Sequence, residues 1–295
     1  MNVILEELRQ RQGGWSKTAG VLKRRFERQR NVALGLSLGG ALLASTATQF
    51  TGEMRFALAM ASAAMFGVVG ILKRPSRGDA SAQSWVRARV ISESLKRLAY
   101  TYAARGKGYS DLAKRDAALL AAMADVATES RPYLPSYLGD QPGSTPQGDL
   151  TPGEYLQHRV DGQIEFYESN AKTCKRLADK WRMWEFGLAL ATAAFTVIAA
   201  LINKQLPPAG SGADLAAFAA VLTTISGAIV AHIEASKFDF LVTTYRATAL
   251  RLRDAKLALE QPVDIDAAAW TKFVGQCEQQ IAVENGSWVL KIGKS

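Results

Sequence analysis

Arg87, Arg89, Glu93 and Lys96 crowd into one short segment whose apolar residues recur three and four apart. At helical spacing Arg89, Glu93 and Arg97 stand in one row, where alternating charges form a ladder of i,i+4 pairs. The same segment admits a second chemistry: Arg87, Arg89 and Lys96 present cations that can grip an anionic ligand such as a phosphate. A separate set of polar side chains sits in apolar surroundings. The hydroxyls of Ser37, Thr192, Thr196, Thr223 and Thr224 either line a path for ions or bond back to carbonyls of their own helices. His232, at the end of an apolar run, is either a proton-sensitive gate or an interfacial residue.

Catalytic and metal chemistry has little to draw on. The two histidines, His158 and His232, are separated by a whole apolar run, so no histidine-based metal site is expected. GxxxxGK[ST], GxGxxG and HExxH do not occur. Arg105-Gly106-Lys107-Gly108 lacks the spacing and the hydroxyl of a phosphate loop and reads as a helix-ending turn. Cys174 and Cys277 are isolated, with no CxxC spacing, and are expected to stay reduced. The expectation is a protein that is not an enzyme and that needs no cofactor or metal.

The elements that position these residues are set by charge. Residues 31–52, 56–72, 186–203 and 215–233 contain no Asp, Glu, Lys or Arg. At about 1.5 Å per residue such runs cross, or nearly cross, a hydrocarbon core of about 30 Å. They form two close pairs, and only Arg55 and Lys204, of 36 Lys and Arg residues, fall in the short connections within the pairs. By the positive-inside rule both termini and the 73–184 segment face the cytoplasm. The net charge of +9 then lies beside anionic lipid, and no duplex nucleic acid is needed to explain it. About thirty residues precede the first apolar run, too many for an ordinary signal peptide.

The chain reads as a tandem repeat, with spans beginning at Asn31 and Phe56 and again at Phe186 and Leu215. Leu156, Val160, Ile164, Tyr167, Ala171, Cys174, Ala178 and Trp181 form an apolar helical stripe running into the third span. Thr151-Pro152-Gly153-Glu154 opens that helix with a capping box. A shorter helix carrying Trp15, Ala19, Leu22 and Phe26 precedes the first span. Ala88, Ile91, Leu95, Leu98 and Tyr102 follow the first pair; Phe238, Val242, Tyr245, Ala249 and Leu252 follow the second. Helices are also expected over Ser110–Glu129 and from near Asp266, the latter carrying Trp270, Phe273, Cys277 and Ile281. Five of nine prolines fall in 131–152, which reads as a linker. The expected fold is all-α: four transmembrane helices in two hairpins with a cytoplasmic bundle of amphipathic helices. The expected units are 1–130 and 153–295. Small-residue pairs at Gly35/Gly39, Ala63/Gly67 and Ala216/Ala220 let helix backbones approach closely. A single protomer offers little room for a lumen, so a conducting path is expected between protomers of a homo-oligomer.

Trp85 through Lys96, following a two-span hairpin, resembles the cytoplasmic signature of the SLATT superfamily. Tyr245-Arg246-Ala247 after the second hairpin, Glu284-Asn285-Gly286-Ser287-Trp288 near the end, and Arg159 through Tyr167 resemble it as well. The resemblance covers almost the whole chain as two tandem units. It implies a two-helix transmembrane effector of bacterial conflict systems in the inner membrane, of the Hailong kind. Such effectors are pore-forming or channel proteins of anti-phage defence, controlled by a nucleotide or oligonucleotide from a partner nucleotidyltransferase. Arg246, Glu284 and Asn285 join Arg87, Arg89, Glu93 and Lys96 as ligand or gating candidates on that basis. The rival expectations are a membrane scaffold that recruits a cytoplasmic partner through its apolar stripes, and a membrane enzyme acting on lipid or nucleotide.

Overall fold

The computed structural model describes residues 2–72, 82–205, 215–259 and 266–292. Among them every regular element is helical. Helix α1 (Val3–Thr48) is followed by α2 (Gly52–Leu72), α3 (Ala82–Ala103) and α4 (Arg115–Ser130). A four-residue α5 (Pro152–Tyr155) passes through a π turn (Leu156–Asp161) into α6 (Gly162–Gln205). Then come α7 (Leu215–Ser236), α8 (Phe238–Leu259) and α9 (Ala267–Ile292).

Local chemistry accounts for most boundaries. The capping box at Thr151 forms as expected: the Glu154 amide donates to Thr151 Oγ1 at 3.3 Å and the Thr151 amide donates to Glu154 Oε2 at 2.8 Å. Arg105 and Gly108 adopt φ of 54° and 89° and end the α3 segment in the expected turn. Asp266 Oδ1 accepts from the Ala269 amide and starts α9. Two boundaries differ from expectation. The short N-terminal helix and the first span are one uninterrupted 46-residue helix, because the Lys, Arg, Glu and Gln residues between Leu22 and Asn31 are good helix formers. Helix α4 starts at Arg115 rather than Ser110, since Asp111 holds the Ala113 amide in a turn. Arg55 lies in the first turn of α2, leaving a three-residue connection after α1.

Packing sorts the chain into two compact units that each draw on both halves of the sequence: residues 1–26, 76–171 and 242–295 in the first, 27–75 and 172–241 in the second. In the first unit, Leu5 and Leu8 of α1 pack with Ala99 and Tyr102 of α3 and with Leu119 and Met123 of α4. The expected linker lies directly on α1. Added Cβ atoms at Gly13 and Gly14 would lie 1.9 Å from Gln141 O and 2.0 Å from Gly139 O. Absence of side chains there lets the strap touch the helix backbone. The Leu138 amide donates to Thr18 Oγ1 at 3.0 Å, Arg9 Nε to Gly143 O at 2.9 Å, and the Leu150 amide to Ala103 O at 2.8 Å.

In the second unit α1 and α2 close on each other where Ser62 Oγ donates to Gly40 O at 2.8 Å. A Cβ at Gly39 would lie 3.3 Å from Met65 Sδ, and one at Gly40 3.1 Å from the Phe66 ring. Gly35 and Gly67 meet nothing within 4 Å, so of the glycines in the expected small-residue pairs Gly39 takes part in this close approach, together with Gly40. Four helices are long and apolar enough to cross a membrane. Only 28, 11, 6 and 22 % of their most apolar windows is buried, so their apolar surface faces outward. Phe56, Ile71, Phe186 and Leu190 are each more than 60 % exposed. Such surface is stable in lipid and costly in water.

Candidate functional site

The side chains with the most unusual surroundings lie inside the first unit, where α3, the α5–α6 segment, α8 and α9 meet. Arg159, on the π turn, is 1 % exposed and Glu278, on α9, is 3 % exposed. Arg159 Nε donates to Glu278 Oε1 at 2.9 Å and Nη2 to Oε2 at 2.8 Å, a bidentate pair. Tyr155 OH donates to Glu278 Oε1 at 3.1 Å. The guanidinium lies 4.6 Å over the Tyr100 ring of α3. Its Nη1 is buried with no hydrogen-bond partner among the described residues. Burial works against the Arg159 charge, but Glu278 more than offsets it and raises the pKa, so the group stays a cation.

A second buried carboxylate stands on the same helix. Glu284, 1 % exposed, pairs with Arg89 of α3 at 3.8 Å and accepts from Tyr167 OH at 3.4 Å. Tyr167 in turn packs on Tyr245 of α8, with ring centroids 5.7 Å apart. Burial and the Glu284 charge push the Tyr167 phenol well above its ordinary range, and burial does the same for Tyr155. Lys96 lies half-buried in this network. Burial pushes its pKa down, Glu93 and Glu278 oppose that, and Arg159 and Arg89 add to it. No ion pair within 4 Å involves Lys96 among the described residues. Arg159, Arg89 and Lys96 therefore balance Glu278, Glu284 and Glu93 in number. Buried charges of this kind fix which helix docks where rather than adding much net stability.

Four of the seven ligand candidates from sequence come together here: Arg89, Glu93, Lys96 and Glu284. Arg87 is exposed and covers the Tyr133 ring at 4.9 Å. Arg246 is exposed on α8. Asn285 lies on α9, and its side chain is outside the described residues. Sequence reasoning missed Tyr155, Arg159 and Glu278 as a site. The available signal was a charge set in an apolar helical stripe: Glu278 among Val274, Cys277 and Ile281, and Arg159 between Tyr155 and Val160.

In the spans, Thr192, Thr196, Thr223 and Thr224 donate to the carbonyls of Leu188, Thr192, Ala219 and Ala220 at 2.8 to 3.0 Å, each four residues back. Ser37 is half-buried on α1. His232 is buried with its ring centroid 4.7 Å from that of Trp181, and Ser236 Oγ donates to its carbonyl at 2.7 Å. Among the described residues no group of three His, Cys, Asp or Glu side chains is placed to hold a metal ion.

Residues 155–288 match the family model described as SMODS and SLOG-associating 2TM effector domain 1. Residues 14–117 match a model described as protein of unknown function (DUF4231). No curated protein and no solved structure matches the chain. The matched 155–288 segment holds Arg159, Glu278 and Glu284 together with two of the four apolar helices. Residues 155–288 thus carry a SMODS and SLOG-associating 2TM effector domain, in keeping with the SLATT superfamily that the sequence resembles, and such a domain implies a membrane effector in conflict systems.

Proposed function

We propose that the protein is a pore-forming or ion-channel effector of a bacterial anti-phage defence system. It works as a homo-oligomer in the inner membrane with both termini in the cytoplasm. A nucleotide-type signal, supplied by a partner nucleotidyltransferase, controls it through the cytoplasmic helices.

The observation that carries this reading is the bidentate pair between Arg159 and Glu278. A phosphate is the natural competitor of a carboxylate for a guanidinium fork. Arg159 keeps a buried Nη1 without a partner, and Lys96 lies half-buried beside the pair. A phosphate bound there displaces Glu278 and loosens α9. Arg159 sits at the start of a helical segment that continues through α6 into an apolar span, so the same segment both carries the pair and enters the membrane. The hydroxyls bonded back to their own helices leave a path to be formed between protomers rather than through one.

Ion flux through liposomes holding the purified oligomer tests this. Wild type is expected to change its conductance when the signal nucleotide is added, and Glu278→Gln is expected to conduct independently of it. An assembled oligomer that conducts under neither condition, in wild type or variant, overturns the reading. A scaffold, by contrast, loses activity on substitution at Leu95 or Tyr245 and conducts in no state.

A further inference from the structure

Lys237 holds φ at 52°, in the left-handed region that residues bearing a side chain seldom adopt. It is the single residue between α7, which ends at Ser236, and α8, which starts at Phe238. The Lys237 amide donates to Glu234 O at 3.3 Å, three residues back, and the Leu241 amide donates to Lys237 O at 3.1 Å. One helix stops and the next begins within a turn. Arg105, at φ 54°, closes α3 into a loop, where a left-handed residue is an ordinary way to end a helix. After Lys237 no loop follows.

Nothing in the local sequence demands this break. Residues 228–260 contain neither Gly nor Pro, and Lys is a good helix former, so an unbroken helix through Lys237 meets no local obstacle. The left-handed residue costs the broken form about tenfold in population. Such a residue persists where its surroundings hold it. Two holds are present: Phe238 and Leu241 are buried, and Arg182 of α6 pairs with Asp239. Both members of that ion pair are more than half exposed, so it is a weak and easily exchanged hold. The position of the break also matters. Among the described residues the chain passes between its two compact units at 26–27, 171–172 and 241–242. Helices α1 and α6 run unbroken through the first two passages, whereas Lys237 interrupts the helical path just before the third.

We infer that Lys237 is a switch joint with two arrangements. In one, seen here, the fourth apolar helix and α8 are separate; in the other they form one continuous helix. The joint goes beyond the reading proposed above and does not depend on conduction. Within that reading it is where a change among the cytoplasmic helices reaches a span.

Double electron–electron resonance on the full chain in lipid nanodiscs tests it. Nitroxides are placed at Val230→Cys and Leu250→Cys, both exposed positions, in a Cys174→Ser background that leaves only the buried Cys277. Labelled protein is diluted with unlabelled copies, so that only distances within one chain are read. A continuous helix sets the two positions about 30 Å apart, and a broken one sets them closer. Lys237→Gly removes the strain and weakens the continuous helix, and is expected to raise the ratio of short to long distances by about tenfold or more. Lys237→Ile, whose β-branch resists the left-handed region, and Asp239→Ala, which releases Arg182, are expected to shift the distribution toward 30 Å at unchanged helical content. Distances that stay short in all three variants overturn the inference, and so does a 30 Å population that Lys237→Gly leaves in place. Flux through liposomes holding the same variants keeps the two readings apart: distances that move while no variant conducts leave the joint standing and remove the channel.

Discussion

Arg159 and Glu278, 119 positions apart in the chain, meet through two parallel hydrogen bonds of 2.9 and 2.8 Å with both side chains buried. The pair joins the π turn at the head of α6 to the middle of α9. The turn carries an extra residue per hydrogen-bonded ring and is a common local device at functional positions. Here it puts a guanidinium into the helix interface instead of on the surface.

Removing one partner of this pair leaves a buried charge alone. Arg159→Met or Glu278→Leu is expected to destabilise the first unit by about 3–5 kcal/mol, whereas the double substitution is expected to cost little or nothing. Urea unfolding of the detergent-solubilised protein, with a double-mutant cycle, measures both. Additive losses in the double variant would mean that the two residues act independently.

Lys96 is expected to make stability depend on alkaline pH. Its folded pKa lies below the ordinary 10.5 because burial disfavours the ammonium. Between those two values the unfolded chain binds more protons than the folded one, so stability rises with pH across that window. Lys96→Met is expected to be more stable than wild type at pH 7 and to lack this component of the rise. A difference profile between the two proteins that stays flat from pH 7 to 11 would contradict the assignment.

Cys277 is fully buried, and burial together with the neighbouring Glu278 charge pushes its thiol up to about 12. It is expected to resist maleimide in the native protein and to react only on unfolding. Cys174, half-buried on α6, is expected to label first. Peptide mapping after a timed reaction distinguishes the two thiols.

Gly13→Ala would gain up to about 1 kcal/mol of helix propensity on an open helix. On α1 the new methyl meets the backbone of Gln141 at 1.9 Å, which cannot yield without moving the strap. A net loss of about 1–3 kcal/mol is therefore expected, of the size seen for overpacked sites. Limited proteolysis between Leu138 and Leu150 should quicken by an order of magnitude or more, and an unchanged cleavage rate would show that the strap is not held at Gly13.

Much of the fold was legible because it depends on local chemistry. Runs without charge mark the four apolar helices, since a charged group in lipid is expensive at any point along a span. Three-four spacing marks the amphipathic stripes, and Thr151 with Glu154 marks a helix start through bonds closed within one turn. These follow from neighbours in sequence, whatever the rest of the chain does. The candidate site was legible in part: the row from Arg89 to Lys96 and Glu284 could be singled out as charges on helical stripes, but their partners could not. That Glu278 meets Arg159, that 137–150 lies across Gly13 and Gly14, and that α3 packs on α9 of the other half are long-range contacts. No periodicity encodes them, because many helix faces of similar apolarity are equally compatible with one stripe. Only folding brought the cations of α3 and the π turn to the carboxylates of α9, since a buried charge is tolerable only where its counter-charge is also buried.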